Sequence, residues 1–318
     1  MTARIPVLTA AETRARLSYR TAVEALEAAL RAGADPAADP PRTSASFGHG
    51  EVLLMPARVG NAVGVKVVTV TPDNPSRGLP TVQGLHLVFD PVTLAPAAIL
   101  DGATLTAIRT PAVSLVGVRP ALALRTGPVR VVVFGVGPQG TGHVEALQEV
   151  VAPTRPIEAT TYIARREQPC PLRPSGVELL LASQPDEVAD RLARSDLVVC
   201  ATTAREPLFD SRVLPDHAVV VAVGSHQHAR ELDSALLGRA QVIVEDVATA
   251  RRECGDVVLA VEEGALDPAS LVALHAVVTG RAALSADTPI VVKTSGMSWE
   301  DAVVAQTALY PDGGAPIS

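Results

Sequence analysis

The segment Val129-Arg130-Val131-Val132-Val133-Phe134-Gly135-Val136-Gly137-Pro138-Gln139-Gly140 reads as a strand, a turn and the start of a helix. Its first six residues are nearly all apolar, as expected of a parallel strand buried on both faces. Gly135-x-Gly137-x-x-Gly140 follows at once and leads into His143–Val150, which reads as a helix. In this context Gly135 permits a tight turn and Gly137 lets the backbone approach a pyrophosphate. Gly140 allows the helix to pack closely on the strand, and the helix N-terminus favours phosphate charge. The segment implies a dinucleotide site, with Pro138 and Gln139 among its contacts.

Further short apolar strands are expected at Ala159–Ala164, Leu197–Ala201, Ala218–Val223, Val242–Val244 and Ile290–Val292. Helical segments (Asp186–Arg194, Ser234–Gly238, Pro268–His275) lie between them. Alternating strands and helices predict a doubly wound parallel sheet. Before it the pattern differs. Thr9-Ala-Ala-Glu12 has capping-box spacing, and Val23, Leu26 and Leu30 recur at helical intervals. Val52–Leu54, Val63–Val70 and Leu85–Phe89 are β-branched runs parted by Pro, Gly and Asn. Thr104–Val118 reads as a helix with Pro111 in an early turn, and Ser298–Leu309 as a closing amphipathic helix.

Composition narrows the function classes. The 318 residues are 47% hydrophobic and 19% charged, so a sizeable core is expected. A net charge of −7 with 3% aromatic residues offers neither the basic field nor the stacking platform of nucleic-acid binders. No apolar run approaches the ~18 residues of a membrane span. Glu12, Arg14, Arg16 and Arg20 interrupt any signal-peptide apolar region, and Cys170, Cys200 and Cys254 lack metal or disulfide spacing. No metal and a cytoplasmic location are expected. Cys200, ending a strand, is expected in the core.

Two positions carry more chemistry than composition alone suggests. The 27 Lys and Arg residues include two lysines, Lys66 and Lys293. Lysine can give up its proton where arginine cannot, so these two are candidates for chemical work. At the end of the second parallel strand an NAD site usually carries an acid that binds the ribose hydroxyl. Here Ala164-Arg165-Arg166 stands instead, as a 2′-phosphate would require. NADP(H) is therefore preferred, with NAD(H) possible. Arginines on a solvated loop are the alternative.

Six segments in order resemble the ornithine cyclodeaminase/mu-crystallin family. They are Val52–Ala57, Gly64–Val68, Leu105–Thr110, the glycine turn with Gln139, Arg230–Asp233 and Lys293–Met297. The resemblance implies a homodimer in which residues 1–122, completed by 296–318, form an α+β substrate and dimerisation domain. A Rossmann domain, residues 123–295, is inserted into it. By position, Arg42, Lys66 and Arg109 match the family's substrate-carboxylate residues, with Lys66 also catalytic, and Gln83 falls where the family approaches substrate. Such a trio fits the need to hold an imino acid's carboxylate while its Cα receives hydride. Thr202, Val223, Lys293 and Gly296 are expected as further cofactor contacts.

Departures from the deaminase pattern shape the functional expectation. Cyclodeaminases carry an acid where Leu53 stands and a catalytic Asp where Ser225 stands. Oxidising an amino acid requires a base to strip the ammonium proton, and both carboxylates are missing. The ketimine-reducing branch of the family carries Ser at the latter place. The expectation is an NAD(P)H-dependent reductase of cyclic imines such as pyrroline-2-carboxylate or piperideine-2-carboxylate, with Lys66 and Ser225 catalytic. Ornithine or lysine cyclodeamination and alanine-type dehydrogenation are the enzymatic alternatives. A small-ligand-binding protein without turnover is the third. His226 and His228 flank Ser225 as further proton donors.

Overall fold

A computed structural model describes residues 4–170, 176–224 and 227–310. The chain begins with β1 (Val7–Leu8), α1 (Ala10–Arg16), α2 (Tyr19–Arg31), β2 (Thr43–Phe47), β3 (Gly50–Val59), β4 (Ala62–Val70), β5 (Val82–Phe89) and β6 (Pro96–Asp101). Helix α3 (Gly102–Leu122) leads to β7 (Val129–Phe134), α4 (Pro138–Val150), β8 (Ile157–Ala164), β9 (Val177–Leu181), α5 (Pro185–Ala193) and β10 (Leu197–Cys200). Then come β11 (Val219–Ala222), α6 (Ser234–Arg239), β12 (Gln241–Val244), α7 (Val247–Glu253) and α8 (Gly255–Glu262). The last elements are β13 (Val272–Ala273), α9 (Leu274–Val278), β14 (Ile290–Lys293) and α10 (Ser298–Leu309).

Two compact units result. The first holds the chain up to Arg109 together with the segment from Met297; the second is Thr110–Gly296. The sequence boundary at 122 falls at the end of α3, whereas the division lies inside that helix, beside Pro111. Pro111 is thus mid-helix rather than in an early turn, where it withholds an N–H from the carbonyl four residues back.

In the first unit a six-stranded sheet has the order β1-β6-β5-β4-β3-β2, antiparallel except for the β1–β6 pair. Strand β4 alternates buried and half-buried residues, so one face of the sheet is covered. Helix α10 packs on β3, β4 and β5 and against α2, and its Ala302 clusters with Ala57 and Ala62. The helix is not amphipathic as expected: Trp299, Glu300, Asp301, Val304 and Ala305 are all buried. With sheet on one side and α2 on another, its acids must find partners inside.

In the second unit an eight-stranded parallel sheet has the order β13-β12-β14-β11-β10-β7-β8-β9. This is the expected doubly wound sheet, and its strand order reverses beside β7, between β8 and β10. Cys200 lies in its core. The helix expected over 268–275 is instead a 3-10 turn at Pro268–Ser270, the short strand β13 and the helix α9. Pro268 starts a turn, and Val272-Ala273 extends to pair with β12.

Candidate active site

Two sites emerge, one in each unit. In the second unit a cleft of about 600 Å³ opens at the C-terminal ends of β7, β8, β10 and β11. Gly135, Gly137, Pro138, Gln139, Arg165, Arg166, Thr202 and Val223 line it. Gly137 is the N-cap of α4 and supplies no side-chain cap, which leaves the first-turn N–H groups for a ligand. A Cβ on Gly137 would meet nothing within 4 Å, so the cradle there is open to a pyrophosphate. Gly140 differs: a Cβ there would run into the Gly135 carbonyl oxygen, so it serves packing and does not line the cleft. Gly135 has a φ of 105°, which favours glycine. These residues fit a dinucleotide.

Lys293 and Gly296 do not line this cleft. Lys293 is fully enclosed, its Nζ donating to the carbonyls of Ala222 (3.2 Å), Thr294 (2.9 Å) and Gly224. Burial alone would lower its pKa, but Cys254, Asp256, Glu231 and Glu245 around it raise the value above the ordinary one. The Gly296 N–H donates to Glu245. Both residues therefore brace the wall of the second unit.

In the first unit the covered face of the sheet carries a buried charge cluster. Lys66, in mid-β4, donates to Asp301 Oδ2 at 2.6 Å. Arg109, on α3, donates from Nε to Asp301 Oδ1 at 3.2 Å and from an Nη to Glu300 Oε2 at 3.0 Å. Glu300 also accepts the Met297 N–H at 3.0 Å, which fixes the start of α10. Burial, with Arg109 nearby, pushes the Lys66 pKa down to about 8 against the pull of Asp301. Burial would raise Asp301, yet Lys66 and Arg109 hold it below the usual carboxylate range. Both partners are thus lowered, because Lys66 shares its carboxylate with a guanidinium and so gains too little to offset desolvation.

His86 stands opposite Lys66 on β5 and is 1% exposed. Neither ring nitrogen has a hydrogen-bond partner, and burial pushes its pKa down to about 4. The imidazole is therefore neutral at neutral pH.

The structure thus brings Lys66 and Arg109 together through a shared acid, Asp301. Arg42 is half-buried just before β2, and Gln83 is exposed on β5 opposite Thr69. Ser225 and His226 lie outside the described residues, and His228 is exposed. Leu53 is half-buried on β3. Glu300, Asp301 and His86 escaped the sequence reading. Adjacent acids at the start of an otherwise apolar helix were the available signal for the first two.

The model of the ornithine cyclodeaminase/mu-crystallin family matches residues 5–310. Delta(1)-pyrroline-2-carboxylate reductase 1 of Burkholderia multivorans is 31% identical over 310 residues, covering 96% of this chain and 95% of that one. The structure of Thermococcus litoralis Delta(1)-pyrroline-2-carboxylate reductase in complex with NADH and L-proline matches with a TM-score of 0.81 at 26% identity, covering 96% of each chain. A probable ornithine cyclodeaminase from Bordetella pertussis Tohama I matches with a TM-score of 0.84 at 30% identity, covering 99% of this chain and 100% of that one.

Proposed function

The chain belongs to the ornithine cyclodeaminase/mu-crystallin family, and we propose that it is an NAD(P)H-dependent reductase of cyclic imines carrying a carboxylate on the C=N carbon. The observation that carries this reading is the Lys66–Arg109 pair. A lysine with a pKa of about 8 can hold and release a proton near neutral pH, beside a guanidinium that remains charged. The relatives named as pyrroline-2-carboxylate reductases, one of them with L-proline, support a five-membered ring, with the six-membered homologue as second substrate.

In this reading Arg42, Arg109 and Gln83 orient the substrate carboxylate, and Lys66 delivers a proton to the ring nitrogen. Ser225 holds the nitrogen or a water beside it. When bound, the reduced dinucleotide supplies hydride to the imine carbon. Arg165 and Arg166, with Ala164 in place of an acid, support NADPH as the preferred cofactor with NADH accepted; the Thermococcus structure holds NADH.

The same reading assigns residues 1–122 with 296–318 to substrate and dimer contacts and 123–295 to the cofactor. The uncovered face of the first unit's sheet supports a homodimer: Leu54 pairs with Val67 and Val67 with Leu85, and Leu54 and Leu85 are 44% and 47% exposed. Free cysteines support a reducing, cytoplasmic setting, and no described helix is long and apolar enough to cross a membrane.

Ornithine cyclodeamination is the second reading, favoured by the Bordetella relative. Leu53 in place of an acid counts against it. A two-sided panel tests the choice: NADPH or NADH with five- and six-membered cyclic ketimines, against NAD with L-ornithine, L-lysine and L-alanine. Imine reduction without ammonia release from ornithine is expected. Catalytic ammonia release would overturn the reductase reading, and saturable NADPH binding without oxidation by any imine would leave a binding protein.

A further inference from the structure

Behind one end of the cleft, the second unit buries three carboxylates around one ammonium. Glu231 and Glu245 are each 2% exposed, and Asp256 and Lys293 are each 1% exposed. Thr202 donates its N–H and its hydroxyl to Glu231 Oε1, both at 2.7 Å, and the Gly224 N–H donates to Oε2 at 2.9 Å. Thr202 and Gly224 both line the cleft, so the Glu231 carboxylate lies directly behind its wall. Burial raises the Glu231 pKa, while its three hydrogen bonds from Thr202 and Gly224, together with Lys293, favour the ionised form.

Asp256 forms the next layer. Its Oδ1 accepts the N–H groups of Glu231 and Leu232 at 2.8 and 2.9 Å. Its Oδ2 has no hydrogen-bond partner and stands 3.6 Å from Lys293 Nζ. Glu245 accepts the Ser295 N–H at 2.6 Å and the Ser295 hydroxyl. Counted as formal charges among the described residues, three carboxylates face one ammonium, an excess of two in a region shielded from water.

The position of this excess follows from the sheet. The adenosine half of a dinucleotide belongs by β8, where Ala164–Arg166 lie, so the other half falls over the ends of β10 and β11. Thr202 and Gly224 stand there. The reduced nicotinamide ring is neutral and the oxidised ring cationic, so a negative field acts on the difference between them. Low-dielectric surroundings strengthen that action.

We propose that this buried acid excess, with Asp256 as its separable member, makes the cleft favour the oxidised, cationic nicotinamide over the reduced one. The proposal rests on the reading of the cleft as a nicotinamide dinucleotide site. A field of this sign stabilises the charge that develops on the ring as hydride leaves, so it assists reduction of the substrate. Its cost is tighter retention of the spent cofactor. Asp256 acts through the field and touches no reacting atom.

Asp256→Asn removes the charge and, with it, the ion pair to Lys293. The remaining oxygen can keep both main-chain N–H partners, and the new amide stands where Oδ2 had none. Dissociation constants for NADP+, NADPH, NAD+ and NADH are measured by calorimetry on the full chain, for the unaltered protein and D256N. The oxidised-to-reduced ratio of dissociation constants is expected to rise on the order of tenfold in the variant, the size of one charge acting across ~10 Å at an effective dielectric of ~20. Glu245→Gln serves as a second charge-removing variant, with the same direction expected, in case D256N fails to fold. Arg165→Ala is the control, weakening NADP+ and NADPH alike. A ratio that moves less than twofold in both charge variants overturns the proposal. Failure of the unaltered protein to bind any of the four nucleotides overturns the dinucleotide reading itself, a distinct result.

Discussion

Lys66 Nζ and Asp301 Oδ2 stand 2.6 Å apart, joining mid-strand to a helix start across 235 positions of sequence. Burial, with Arg109 drawing on the same carboxylate, lowers the ammonium's pKa to about 8 against the pull of Asp301. Protonated Lys66 is the proton donor of the proposed reaction, so kcat/KM should be full below this value and fall as pH rises through it. Asp301→Asn removes the group that holds the proton on Lys66. The alkaline limb should move down by about one pH unit or more, with the same imine as substrate in both profiles. Coincident limbs would exclude Lys66 as the titrating donor.

Cofactor choice is expected to follow Arg165 and Arg166. NADPH should be favoured over NADH by about tenfold or more in kcat/KM, equivalent to about 1.4 kcal/mol. Replacing both arginines with Ala should erase the preference and spare turnover with NADH. Equal kcat/KM values in the unaltered protein would place the two guanidiniums in solvent.

Gly137 and Gly140 stand three residues apart and should fail differently. Gly137→Ala meets open space, so thermal stability should change little while dinucleotide affinity falls at least tenfold. Gly140→Ala drives a methyl group into the Gly135 carbonyl and should lower stability by about 1–3 kcal/mol. Melting curves with and without nucleotide separate the cases. Normal nucleotide binding by the Gly137→Ala variant would remove the pyrophosphate from this turn.

His86 is a stability liability with a pH signature. Both its ring nitrogens are buried without partners, which costs about 1–3 kcal/mol for each unsatisfied group. His86→Leu should therefore raise the denaturation midpoint at pH 7. The folded pKa of about 4 lies below the ordinary 6.5, so on acidification the unfolded chain takes up the proton first. Stability is present above about 6.5 and is lost as pH falls towards 4. Between pH 7 and 5 that loss amounts to about 2 kcal/mol for this group. The advantage of His86→Leu should consequently widen at pH 5; an equal or smaller difference there would count against the depressed pKa.

Much of the second unit could be read locally, because a parallel strand, a glycine turn and a helix start are contiguous in Val129–Gly140. Strand β9 and helices α7 and α8 could not: Val177–Leu181 is only half-buried, and α7 and α8 have seven and eight residues. In the first unit the scarcity of lysine and the family resemblance pointed to Lys66, and position pointed to Arg109. Glu300 and Asp301 stayed hidden because acids in a helix's first turn ordinarily serve its dipole in solvent. Only folding across some 190 to 235 residues brings them to their cations. His86 sits in an apolar alternation that gave no sign of its neighbours.

Helix α10 also sets an order of events during synthesis. Lys66 and Arg109 leave the ribosome long before the acids that neutralise them, with 192 positions between Arg109 and Asp301. At ~5–20 residues per second that is a wait of about 10 to 40 s. Through that interval the sheet built from β1–β6 lacks the helix that covers one of its faces, and two cations destined for the interior must stay in water. The intervening unit, whose own strands and helices are all in hand by Gly296, can fold first. The nascent chain can thus complete its middle before its beginning, and the opening third gains its covering helix only when α10 arrives.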